Sequence, residues 1–139
     1  MKQVNSYVTK ETVAKSLSKM KKFEEDLNRL FESYDLSLRD NAGRRNILVS
    51  QAQEEFFSEA LKAEGYDVTC SGKTGEPDIT IHSLGKELEC KLTSSGNRSW
   101  PLQCDYATLK RKGATDFLYV LSDNSFQSFA VLSFDSLTV

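Results

Sequence analysis

Apolar residues recur at three- and four-residue steps over residues 10–34: Val13, Leu17, Met20, Leu27, Phe31 and Tyr34 form a stripe, with Phe23 and Leu30 flanking it. That period is helical, and Lys and Glu crowd the other face, so the segment predicts an amphipathic helix capped by Thr9 or Thr12. The polar, glycine-containing run DLSLRDNAGRR predicts a linker. A second stripe of Val49, Ala52, Phe56, Phe57, Ala60 and Leu61 predicts a helix over residues 47–64, stopped by Gly65. The period then shortens. The runs YDVTC, DITIH, ELECKLT, FLYVL and FAVLS predict five strands. SLGK is a tight turn with Gly85 at a position suited to positive φ, and SDNS joins the last two strands. Residues 102–112 predict a short helix ending at Gly113.

Composition narrows the class without naming a function. A chain of 139 residues fits one core, and 39% apolar with 27% charged residues is ordinary for a folded soluble protein. A net charge of −2 excludes a general polyanion binder, so any nucleic-acid contact must come from a local patch. No apolar run is long enough to span a bilayer, and no secretory signal opens the chain. Cys70, Cys90 and Cys104 form an odd set without a CxxC pair, which argues against a disulfide framework or zinc knuckle and for a reducing cytoplasm.

Candidate chemistry lies in the stretch GEPDITIHSLGKELECK. Alternation along a strand puts Glu89 and Lys91 on one face and Leu88, Cys90 and Leu92 on the other. On the preceding strand Ile79 and Ile81 oppose Asp78, Thr80 and His82. The short turn makes these strands neighbours, and one register brings Asp78, Glu89 and Lys91 together at one end of the hairpin. Two carboxylates and a strand carbonyl, that of Cys90, suit a hard cation such as Mg²⁺. An ammonium beside them can orient or help deprotonate the attacking water, an arrangement for phosphodiester hydrolysis.

PD, ten residues, then ECK resembles the signature of the PD-(D/E)xK nuclease superfamily. The resemblance implies an α/β fold with a restriction-endonuclease-like core: a helix, three strands in antiparallel hairpins, a helix, and further strands in a mixed sheet. Here an amphipathic helix precedes that core. It implies Asp78 and Glu89 as metal ligands and Lys91 as the group serving the attacking water. It implies Mg²⁺, with Mn²⁺ as a substitute, no organic cofactor, and DNA as substrate, in an intracellular protein encoded by a bacterium or phage. Many members add a Glu on the first core helix. Glu54 fills that place, with a spacing to the terminal Gly similar to that of archaeal Holliday junction resolvases. Glu55 falls on the Glu59 and Lys62 side, and Gln53 points nearer the apolar centre. Many members also carry a Gln at the start of the second core helix, where Gln103 stands.

Arg98, Lys110, Arg111 and Lys112 set four cations against Asp105, enough to hold a phosphate backbone, or simply to solvate a helix end. Trp100 can stack on a base or sit beneath the loop. Residues 1–45 form a helical extension with ten Lys or Arg against seven Asp or Glu, and residues 46–139 the nuclease domain. The extension can fold back as a lid, lie along DNA, or pair with a second copy. Cutting both strands of a duplex favours the homodimer. The sequence thus leads to a metal-dependent DNA endonuclease. Its alternatives are a Holliday junction resolvase, a nucleic-acid-binding module that no longer cuts, and a structural subunit with a charged hairpin.

Overall fold

The computed structural model describes residues 7–71, 77–96 and 115–135. Helix α1 (Lys10–Glu32) begins where the Thr9 hydroxyl accepts the Thr12 backbone N–H. Helix α2 (Ala42–Ala63) starts five residues before the expected position, because Asn41 Oδ1 accepts the Arg44 N–H and caps a turn that looked like linker. The two helices form an antiparallel hairpin. Near one end Lys19 pairs with Glu59, and Phe23 meets Phe56 edge-on.

The line of α1 that sinks deepest differs from the expected apolar stripe. It is Thr12, Ser16, Met20, Glu24 and Asn28, spaced four apart. Val13, Leu17, Phe23 and Leu27 pack beside it at partial burial, whereas Leu30 and Tyr34 are exposed. Small polar side chains let the helices approach closely; the Ser16 hydroxyl bonds back to the Thr12 carbonyl and lies 3.5 Å from that of Phe56. The deepest side of α1 is therefore engaged within its own chain.

Five strands follow: β1 (Val68–Cys70), β2 (Ile79–Ile81), β3 (Lys86–Ser94), β4 (Thr115–Ser122) and β5 (Phe129–Asp135). They form one mixed sheet in sequence order, antiparallel except for the parallel β3–β4 pair, so the protein is α/β. β1 and β2 are shorter than expected, and His82 opens a 3-10 turn instead of ending β2. Gly85 closes that turn at φ 63°, where a glycine is at ease. The helix expected over 102–112 lies outside the described residues, as do Arg98, Trp100, Gln103, Lys110, Arg111 and Lys112.

One face of the sheet carries Val68, Ile79, Ile81, Leu88, Leu118 and Val120, packed against Met20, Val49, Phe57 and Leu61. On the other face Phe117, Tyr119 and Leu121 are buried with Leu132 and Phe134, the Tyr119 and Phe134 rings stacking at 5.8 Å. The N-terminal segment joins this unit. Tyr7 is buried and its hydroxyl donates to Asp116 at the start of β4. The boundary expected at residue 45 falls inside α2. No helix among the described residues is long and apolar enough to cross a membrane.

Arg45, expected in a linker, is fully buried. Its guanidinium lies 4.9 Å from the Phe126 ring centre and donates to Asn46 Oδ1, the Ser94 hydroxyl and the Asn124 carbonyl. It joins α2 to the end of β3 and to the β4–β5 turn. Buried Glu24 of α1 accepts from Asn28, lies 3.6 Å from Arg39, and acts on Arg45 through its charge. Removing one partner of such a network strands the other charge, so Arg45→Met should lower stability by roughly 3–5 kcal/mol. Urea denaturation measures this; a change below about 1 kcal/mol, the scale of exposed ion pairs, would mean the buried network contributes little.

Candidate active site

The β2–β3 ladder ends at the Ile79–Leu88 pair, while β3 continues beside β4 as far as Ser94. At that break Asp78 Oδ2 accepts the Cys90 backbone N–H at 2.9 Å, where a further strand residue would otherwise bond. Pro77, next in line, has no N–H to offer. The break opens a cleft of about 520 Å³ between the N-terminal half of α2 and the edge of β3. Asp78, Glu89 and Lys91 line it, as the strand alternation predicts, and so does Glu54 from α2. Ile79 and Leu88 face the core, fully buried.

Two tethers align α2 with β3. Gln53 Nε2 donates to the Lys91 carbonyl at 3.3 Å, and Asn46 Nδ2 donates to Ser94 Oγ at 2.9 Å. Gln53 is thus fully buried behind the strand, and Glu54, one residue on, is turned towards the carboxylates. Glu55 is exposed on the far side.

The charges around the cleft are interdependent. Glu54 has its pKa raised from the ordinary 4.5 to about 7, first by burial, then by the negative charges of Asp78 and Glu89 and a hydrogen bond with Asp78; Lys91 pulls the other way. Lys91 Nζ lies 3.3 Å from Glu89 Oε1. Cys90 is buried and its thiol is pushed well above the usual value, chiefly by burial, so it behaves as a small apolar residue and only its carbonyl is a candidate ligand.

The donor set fits a hard divalent cation in kind: three carboxylates and a strand carbonyl, all oxygen. Burial comes first in raising Glu54, and a bound cation would relieve the second cause, the negative charge of Asp78 and Glu89. The side chains do not stand as a ready chelate, however. Among the described residues no group of three or more His, Cys, Asp or Glu is placed to hold a metal. They pair off instead, Glu54 with Asp78 and Glu89 with Lys91.

Sequence reasoning missed Arg45, Asn46, Ser50 and Ser94, of which the last three line the cleft. Asn41, three residues ahead of Arg44, was the available signal that α2 begins early. Nothing local marks Arg45 as buried. Comparisons with models of protein families, with curated proteins and with solved structures return no match for this chain.

Glu54 makes the site pH-sensitive in a definite direction. Between about 4.5 and about 7 the folded protein holds a proton that the unfolded chain has released. Its contribution to stability is therefore present at low pH and is lost as pH rises towards 7. Metal-free protein should lose stability from pH 5 to pH 7, and Glu54→Gln should flatten that slope. Denaturation in EDTA at several pH values tests this; equal slopes for the two proteins would refute it.

Proposed function

We propose that the protein is a Mg²⁺-dependent DNA endonuclease with a restriction-endonuclease-like core of the PD-(D/E)xK kind. One observation carries this reading: Asp78, Glu89 and Lys91 converge where β2 leaves β3, and a half-buried Glu54 from α2 joins them. A surface hairpin with ornamental charges has no reason to recruit a carboxylate from a helix into a cleft already holding two. The element order of the described part, helix then three strands then two further strands, is compatible with that core.

In this mechanism Asp78, Glu89 and the Cys90 carbonyl would hold the cation, with Glu54 assisting directly or through water. The cation, when bound, supplies Lewis-acid stabilisation of the charge that grows on the phosphate. Lys91 contacts the attacking water and the scissile phosphate, and its pairing with Glu89 keeps the ammonium at the site. Glu54, its pKa raised to about 7, can hold or release a proton at its own carboxylate near neutral pH. One site cuts one strand, so duplex cleavage requires a second copy or a second encounter; nicked or linear plasmid as first product distinguishes these. Comparing a four-way junction with linear duplex separates the resolvase alternative from a general endonuclease. A binding module that no longer cuts would hold DNA without any chelator-sensitive cleavage.

Asp78→Ala and Glu89→Ala should each abolish Mg²⁺-dependent cleavage; the metal-free melting temperature should stay level or rise in Glu89→Ala, where crowded carboxylates are relieved, and fall in Asp78→Ala, which strands the Cys90 N–H. Lys91→Ala should stop cleavage yet keep metal binding, and Lys91→Arg should not restore it fully, because a planar guanidinium cannot replace a compact ammonium. Glu54→Gln should reduce activity more than Glu55→Gln. Single-turnover cleavage and metal titration check each variant, and full activity in Lys91→Ala would defeat the mechanism.

A further inference from the structure

The cleft continues past its carboxylates. α2 and β3 run in opposite directions along it, Gln53 meeting Lys91 and Asn46 meeting Ser94. At about 1.5 Å per residue, Asn46 lies roughly 12 Å along α2 from Glu54. The wall in that direction is neutral, with Ile47 and Ser50 on the helix and Thr93 and Ser94 on the strand. All three carboxylates of the cleft therefore belong to one end.

At the other end the Asn46 amide is locked. Its Oδ1 accepts from Arg45 Nε at 3.3 Å and from Nη2 at 3.2 Å, while Nδ2 gives one hydrogen to Ser94 Oγ. Ser94 Oγ already accepts from Arg45 and Asn46, so its own hydrogen goes to Ser122 Oγ. A flipped amide would set its NH₂ against the guanidinium N–H groups, so the orientation is fixed. The acceptor oxygen of Asn46 is used within the protein. Its second Nδ2 hydrogen has no partner among the described residues, on a side chain that lines the cleft. A lone donor selects an acceptor, and the guanidinium on Oδ1 polarises the amide and strengthens it for an anionic oxygen.

We propose that Asn46 binds a second backbone phosphate of the strand that is cut, so that the cleft from Glu54 to Asn46 is the track of one DNA strand. This rests on the nuclease reading for the chemistry at the carboxylate end. Roughly 12 Å is several times the rise of about 3.4 Å per nucleotide, so the phosphate at Asn46 is a different one from the phosphate at the carboxylates. Ile47, 68% exposed beside Asn46, supplies apolar surface for the sugars between. A phosphate contact positions without reading sequence, so Asn46 sets where along the strand the cut falls and leaves base choice to other groups.

The test uses the full chain and a labelled duplex oligonucleotide, with Ca²⁺ in place of Mg²⁺ for binding and Mg²⁺ for cleavage read in parallel. Asn46→Asp keeps an acceptor for Arg45 and puts an anionic oxygen where the free donor was; its melting temperature checks the fold. Affinity should fall roughly tenfold or more, as expected for losing a hydrogen bond to a charged group. In ¹⁵N-labelled wild-type protein the Asn46 side-chain amide signals should shift when duplex is added, a reading that needs no variant. Wild-type affinity in a folded Asn46→Asp, or unmoved Asn46 signals with duplex bound, overturns the proposal. Binding with the expected shift but no metal-dependent cutting overturns the nuclease reading and leaves the phosphate contact standing. Cutting with unmoved Asn46 signals does the reverse, and a wild-type protein that binds no DNA overturns both.

Discussion

The carboxylate of Asp78 does the work of a missing strand. Cys90 presents a backbone N–H at the point where β2 has stopped pairing, and Asp78 Oδ2 accepts it at 2.9 Å. A peptide N–H left without a partner in a half-buried position is costly, so this one contact lets the ladder end without penalty. Because it ends, β3 keeps β4 as its strand neighbour from Glu89 to Ser94 and shows its other edge to the cleft. A β2 longer by two residues would pair with that edge and close the opening.

The same carboxylate sets the electrostatics. Burial first, and then the charge of Asp78, drive Glu54 up to about 7. Lys91 balances only part of the negative charge, through Glu89 at 3.3 Å. Three carboxylates and one ammonium leave two excess negative charges in a half-buried cleft; a proton on Glu54 offsets one of them, and a divalent cation would offset both. The raised Glu54 and the proposed cation site are thus two expressions of one imbalance.

The wall opposite β3 has its own anchor. α1 contributes a buried line that is mostly polar, and α2 contributes Arg45, which reaches past Phe126 to Ser94 and Asn124. These bonds bridge α2, the end of β3 and the β4–β5 turn, and they add to the apolar core that already packs α2 on the sheet. Gly96 fits this arrangement: a Cβ there would come within 2.9 Å of Asn124 Nδ2. The helical hairpin is therefore part of the scaffold of the cleft, with Glu24 of α1 acting on the same guanidinium.

Period and spacing determined much of this protein. The strand alternation sorted Asp78, Glu89 and Lys91 from Ile79, Leu88 and Cys90, and the turn chemistry required a glycine at 85, because both depend on neighbours in the chain. The stripe of α2 likewise favoured Glu54 over Glu55, and Glu54 is the one turned to the carboxylates. Tertiary structure decided the rest. Whether Arg45 is linker or core depends on Phe126, Ser94 and Asn124, each about fifty or more residues away, and no local pattern encodes such partners. The depth of Thr12, Ser16, Glu24 and Asn28 reflects how closely α2 approaches, which hydrophobic periodicity reads as the polar side of a stripe. The pairing of carboxylates with one another and with Lys91 follows from distances through space, and so does the raised pKa of Glu54.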